Sequence, residues 1–97
     1  MADLPPPLGR RPVLILTRTS AVAVRNQVVV AQITTTVHGL ASEVPMTRAD
    51  GMPRDCVVNC DVLLTVPKAR LTGRIAKLRP AKMDDVHQAL RFAMEIP

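Results

Sequence analysis

The sequence predicts a mainly β fold, a small barrel of five or six short strands with one C-terminal α-helix packed on it. Short runs rich in valine, isoleucine and threonine, separated by proline, glycine and aspartate, fill most of residues 12–78. After Pro80 the apolar period changes from that of a strand to that of a helix. The 97 residues are 47% hydrophobic, yet Phe92 is the only aromatic, so aliphatic side chains and methionine must fill the core. A chain of this length makes one domain, expected to span 1–97, near the lower limit for a self-sufficient core. Burying further apolar surface in a homodimer is the expected remedy.

Residues 1–9 form a proline-rich lead-in that is expected to stay out of a sheet interior, because proline donates no ladder hydrogen bond. Residues 12–17, Pro-Val-Leu-Ile-Leu-Thr, are a short strand, and the polar breaks at 18–26 read as a loop. Residues 27–36 are the strongest strand in the chain, dominated by β-branched side chains. Both strands are apolar on both faces, as in a closed or doubly covered sheet. A turn at His38-Gly39-Leu40 leads to a short edge strand at 42–46, closed by Pro45. Residues 47–54, with Asp50-Gly51 and Pro53, read as a connecting loop. Residues 56–66 are a long strand, or two with a bend near Asp61, ended by Pro67-Lys68. Residues 72–78 alternate polar and apolar and read as a last strand. Pro80 suits a first helical position, and Met83, Val86, Leu90 and Ala93 recur as one helical stripe. Asp84 and Asp85 lie toward its start, where the helix dipole favours them.

The formal charge is +5, and its distribution says more than its sum. No acid occurs from Leu4 through Ser42, which holds Arg10, Arg11, Arg18 and Arg25. None occurs from Val62 through Met83, which holds Lys68, Arg70, Arg74, Lys77, Arg79 and Lys82. Two acid-free basic stretches suit a polyanion, since each neutralised phosphate releases condensed counterions; they also suit a plain solvated surface. No apolar run approaches the ~20 residues of a membrane span, and the start lacks the pattern of a signal peptide. The expected location is the cytoplasm, away from membranes, with thiols reduced. If Cys56 and Cys60 share a strand, their Cα atoms lie roughly 13 Å apart, too far for a disulfide. Two cysteines and two distant histidines make no zinc pattern either, so no metal or cofactor is expected.

Few enzyme templates fit. There is no phosphate-binding glycine loop, no Gly-x-Ser-x-Gly elbow, no HExxH and no carboxylate pair at useful spacing. His38 beside Gly39 is either a surface histidine or a neighbour of an active groove, and His87 falls on the polar side of the helix. Arg11 precedes Pro12, whose ring restricts its neighbour to an extended backbone. An arginine so held offers its fork to a phosphate, although a plain surface arginine would look the same. Thr34 follows the apolar part of a buried strand and opens a Thr-Thr-Thr run, so its hydroxyl either faces a groove or merely belongs to a β-former.

Taken in order, these segments resemble the MazF/PemK toxins. Arg-Pro-Val-Leu-Ile at 11–15 and Val-Val-Val-Ala-Gln-Ile-Thr at 28–34 are similar to that family's "R-P-V-L-V-I … V-x-V-A-P-I-T". Glu43-Val44-Pro45 resembles its "T-E-V-P" edge strand. Arg54-Asp55-Cys56-Val57-Val58, Cys60-Asp61 and Thr65-Val66-x-Lys68 resemble "K-D-S-V-V … x-D-Q-I-R-T-V-D-K". Leu71 to Leu78 and the final helix resemble "R-L-x-x-x-I-G-x-L" and its amphipathic tail. The likeness covers residues 9–96, and its specificity lies in the ordered series rather than in one motif.

The resemblance implies a dimeric SH3-like (PemK/CcdB-type) barrel that cuts single-stranded RNA without metal. The 2′-hydroxyl would attack the adjacent phosphate, leaving a 2′,3′-cyclic phosphate and a 5′-hydroxyl. By the same resemblance Arg11 and Thr34 are the catalytic pair. Asp61 matches a substrate-site acid of some members, and Asn59 stands where some carry a functional arginine. Arg10, Thr35, Thr36, His38 and Lys68 complete the expected substrate-binding set. A cognate MazE-like antitoxin with an acidic, flexible tail is the expected partner.

The sequence also departs from the family. The usual first strand, "R-G-E-I-W-W", has no counterpart before Asp3-Leu4, the proline of "A-P-I-T" is Gln32, and "Q-x-R" after the acid is Val62-Leu63-Leu64. Two alternatives stay open: a basic barrel that binds RNA without cutting it, and a gyrase-directed toxin of the same fold. The second class acts through a C-terminal Trp-Gly-Ile, whereas this chain ends Met94-Glu95-Ile96-Pro97.

Overall fold

A computed structural model describes residues 1–4, 9–73 and 77–97. Its described strands are β1 (Ala2–Leu4), β2 (Gly9–Arg11), β3 (Val13–Ile15), β4 (Gln27–Thr34), β5 (Glu43–Met46) and β6 (Cys56–Pro67). The helices are the single turn α1 (Thr19–Val22) and α2 (Pro80–Ala93), with 3₁₀ turns at Arg48–Asp50 and Lys68–Arg70. β1 and β2 pair as an antiparallel ribbon, and the four-stranded antiparallel sheet runs β3-β4-β6-β5. The architecture is the mainly β one with a C-terminal helix that the sequence predicts.

β4 sits inside the sheet and is covered on both faces, which explains its lack of polar alternation. Ala31 and Ile33 face one cluster with Val44, Met46, Cys56, Val58 and Cys60, against which Val86 and Ala89 of α2 pack. Val28 and Val30 face a second cluster with Ala2, Leu4 and Val66. Val30 and Val58 are completely buried, one on each face. Period-2 side-chain direction puts alternate residues of one strand into different cores.

The lead-in differs from expectation. Ala2 and Leu4 are buried, and β1 pairs with β2 in the register Ala2↔Arg11 and Leu4↔Gly9. The prolines exclude only themselves from a ladder, so the strand forms before them; Pro5, Pro6, Pro7 and Leu8 lie outside the described residues. The ribbon is tied to the segment after β6 by an Ala2↔Leu71 bridge and by the Thr72 N–H donating to the Met1 carbonyl at 3.0 Å.

β3 is shorter than the predicted 12–17, but its pairing continues at both ends. The Ile33 N–H donates to the Pro12 carbonyl at 3.1 Å, and the Val29 N–H donates to Thr17 Oγ1 at 2.8 Å. Part of the predicted 18–26 loop is α1, one turn too short to show a stripe, anchored by buried Ala21. In β6 the register jumps from Ala31↔Leu63 to Gln32↔Asn59, so residues 60–62 are extra. This bulge is the bend expected near Asp61.

β5 runs Glu43–Met46 on the sheet edge as predicted, where Pro45 costs no ladder bond. The 47–54 connection contains a capped 3₁₀ turn: Thr47 Oγ1 accepts from the Ala49 N–H, and Asp50 Oδ2 accepts from the Thr47 N–H. Gly51 closes it at φ 89°, a left-handed conformation that favours glycine. The predicted strand 72–78 falls partly on residues 74–76, which lie outside the described residues; the described flanks carry no strand.

α2 begins at Pro80 and buries Val86 and Ala89, with Met83, Leu90 and Ala93 packed beside them. Asp84 and Asp85 fall beyond its first turn, where the dipole has largely decayed, so they do not act as expected. Lys82 occupies that turn instead. Its ammonium is held 2.9 Å from the Pro45 carbonyl and 3.7 Å from Asp50 Oδ2.

Candidate active site

The position of Arg11 follows from the register. Val13 pairs with Gln32, and the Pro12–Ile33 hydrogen bond continues that pairing, so the next positions across the strands are Arg11 and Thr34. Arg11 also belongs to β2, where it faces Ala2. An arginine held between two strands cannot wander far at its Cα, and Pro12 restricts its backbone further. The side chain is half-buried rather than solvent-facing.

Arg11 and Thr34 line one cleft of about 380 Å³. Arg10, Arg11 and Pro12 line it from the β3 side of β4, Ile33, Thr34 and Thr35 from β4 and its exit, and Met52, Pro53, Arg54 and Cys56 from the β6 side, with Met1 adjoining. Three guanidinium groups and two threonine hydroxyls thus share the cleft with apolar side chains, and no carboxylate is among the described residues that line it. Such a lining favours a phosphate bearing an organic group. Thr34 Oγ1 accepts the Thr36 N–H at 3.1 Å, which fixes its lone pairs and leaves its O–H to donate outward. Arg10 donates to Thr72 Oγ1 at 3.0 Å, which holds that guanidinium at the cleft rim.

The remaining predicted residues divide by distance. Thr36 is exposed just past Thr34. His38 is exposed in the following loop, which is pinned by a buried carboxylate: Glu43 accepts the His38 N–H at 3.0 and 3.2 Å and the Leu40 N–H at 3.1 Å. The Leu40 N–H is foremost in holding the Glu43 carboxyl below its usual value, against the opposing effect of burial. Asn59 sits opposite both Gln32 and Glu43, so it lies two residues along the strands from the Thr34 level. Its Oδ1 accepts the Asp61 N–H at 3.0 Å, and the Asp61 carboxylate accepts the Ser42 hydroxyl. Asn59 and Asp61 form a second polar cluster outside the cleft lining.

Lys68 is not brought to this site within the chain. Pro67 pairs with Gln27 at the opposite end of β4, seven residues or roughly 23 Å from Thr34. The Lys68 ammonium donates instead to the Val22 carbonyl, closing the end of α1. A lysine after a strand break carries no mark in the sequence of which sheet end it will reach.

Arg54 is the cleft residue missed among the predicted sites. Its sequence signal was its match to the basic residue that opens the family's "K-D-S-V-V", at the end of what reads as a connecting loop. Cys56 and Cys60 are free and buried, both on the α2 side of the sheet, and burial pushes both thiols up in pKa. They carry little of the thiolate that reactivity needs.

Residues 2–94 match the family described as PemK-like, MazF-like toxin of type II toxin–antitoxin system. The chain is 42% identical over 86 residues to the probable endoribonuclease MazF2 of Mycobacterium tuberculosis, covering 88% of this chain and 84% of that protein. It is 38% identical over 89 residues to the probable endoribonuclease MazF5 of the same organism, covering 91% and 82%. The solved toxin MazF-mt6 of Mycobacterium tuberculosis superposes with a TM-score of 0.93 at 37% identity, covering all of this chain and 95% of that one. A mycobacterial endoribonuclease solved with its cognate antitoxin superposes at 0.86 with 26% identity, covering 99% and 91%. With the same fold end to end and a family match over nearly every residue, this chain belongs to the PemK-like, MazF-like toxins of type II toxin–antitoxin systems.

Proposed function

We propose that the chain is one toxin domain, residues 1–97, that cuts single-stranded RNA as an endoribonuclease, with Arg11 and Thr34 at the reacting phosphate. The observation that carries this reading is the cleft that both side chains line. The 2′-oxygen bonds to phosphorus, the bond from phosphorus to the 5′-oxygen breaks, and the 2′-hydroxyl proton is matched by one gained at the leaving 5′-oxygen. The products are a 2′,3′-cyclic phosphate and a 5′-hydroxyl. Arg11 stabilises the charge that grows on the phosphorane, and the Thr34 hydroxyl donates to a phosphoryl oxygen. Alignment of attacking and leaving oxygens supplies much of the rest, because no strong base is among the described residues that line the cleft.

Arg10 and Thr35, which share the cleft, and Thr36 and His38 beyond it hold the RNA strand on either side. Asn59 and Asp61 contact a nucleotide further along the sheet. The toxin acts in the cytoplasm as a homodimer; exposed Phe92, Met94 and Ile96 near the end of α2 supply apolar surface for a second copy. An antitoxin with an acidic segment covers the cationic cleft, a reading supported by the relative solved with its antitoxin.

The test is incubation with a long single-stranded RNA in EDTA. Discrete fragments ending in cyclic phosphate are expected, and Arg11→Ala should lower the rate by on the order of 10²-fold or more while its far-UV circular dichroism stays that of the folded wild type. Gel retardation without fragments would replace the nuclease by an RNA-binding barrel. Undiminished cleavage by Arg11→Ala would remove the mechanism.

A further inference from the structure

Arg54 lines the cleft from the β6 side, across β4 from Arg11, in the connection between the capped 3₁₀ turn and β6. Its side chain is exposed, and it has no hydrogen-bond or ion-pair partner among the described residues. The nearby buried acid, Asp50, is already engaged by Arg79 at 3.5 Å and Lys82 at 3.7 Å, and does not neutralise it. Its base is firm: Met52 before it and Cys56 after it are both buried in the α2 core. Pro53 restricts the intervening backbone. A planar donor fork on a rigid base, in a cleft with two further guanidinium groups and no carboxylate among its described lining residues, suits a phosphate.

One phosphate between Arg11 and Thr34 leaves Arg54 without a charge to meet. A nucleic-acid strand carries its next phosphate one nucleotide away, and Ile33, Met52 and Pro53 line the same cleft with apolar surface for the nucleotide between. We propose that Arg54 grips a phosphodiester flanking the one that is cut, so that the cleft holds two consecutive backbone charges. This rests on the RNA-cutting reading above. Arg54 then acts on strand binding and register, and Arg11 and Thr34 act on the bond that breaks.

The test uses the full chain and short oligoribonucleotides with one cleavable linkage. In a series of these, each flanking phosphate in turn is replaced by an uncharged methylphosphonate. Arg54→Ala should raise KM about tenfold with kcat nearly unchanged, and Arg54→Lys should recover part of the loss. In the wild type, one methylphosphonate position should cause a comparable loss, and at that position Arg54→Ala should cause almost no further loss. Binding of 2′-O-methyl versions, which cannot be cut, is measured in parallel and should show the same pattern. An unchanged KM and affinity in Arg54→Ala, or losses that simply add at every position, overturn the clamp. If the wild type binds but never cuts, the nuclease reading fails while the binding series still decides the clamp. If it binds none of the oligomers, both fall.

Discussion

Thr34 shows how much a single hydroxyl can do when its surroundings are fixed. By accepting the Thr36 N–H it shapes the exit from β4, and by donating outward it reaches a phosphoryl oxygen. Thr34→Val keeps the volume and the β-branch but removes both roles, so kcat should drop by roughly 10²-fold. Thr34→Ser restores the oxygen and should recover most of the rate. Single-turnover cleavage of one defined oligoribonucleotide distinguishes the two, and equal rates for valine and serine would show that the oxygen is not used. The residue pair was legible before folding only through the family resemblance. An arginine before a proline and a threonine at a strand end are each compatible with an ordinary surface. Arg54 matched the basic position of a family motif, but nothing local marked that this loop residue would share a cleft with Arg11.

At the scale of elements, two buried carboxylates connect secondary structure to acid stability. Asp50 caps the 3₁₀ turn through the Thr47 N–H and meets Lys82 and Arg79, ahead of α2. The Thr47 N–H is the largest influence lowering its pKa, opposed by burial and aided by the two cations. Glu43, also lowered, pins the loop between β4 and β5. A carboxyl whose pKa is depressed on folding contributes stability above its unfolded value, and that contribution disappears as pH falls through the folded one. Stability should therefore hold near neutrality and decline below about pH 4.5. Asp50→Asn keeps the shape without the charge and should melt lower at pH 7 while approaching the wild type near pH 3. Thermal melts across that range check this, and a constant difference at all pH values would contradict it. These contacts link elements distant in sequence. Strand propensity and Pro80 announced the elements themselves, but not that Lys82 rather than Asp84 or Asp85 would occupy the first turn of α2.

For the whole molecule, a charge of +5 is modest, and its effect depends on where the cations converge. If Arg10, Arg11 and Arg54 each displace a counterion from one phosphate, affinity for a single strand falls with salt at a slope of about −0.7 per contact. Three contacts imply a loss of about twentyfold between 50 and 200 mM salt. Titrations with an uncleavable 2′-O-methyl oligomer measure this slope, and a nearly flat dependence would show that the cleft does not hold phosphates. None of the described helices is long and apolar enough to cross a membrane.

The sequence by itself determined the strand-rich class, the helix after Pro80, the bend near Asp61 and the pairing of Arg11 with Pro12. These depend on propensity and period, which are local. Only the tertiary structure decided that Ala2 and Leu4 would join the core, that Lys68 would close α1 roughly 23 Å from Thr34, and that Arg54 would line the same cleft as Arg11. Those outcomes depend on sheet register and on what packs across it, and a residue's own neighbours in the chain do not encode either one.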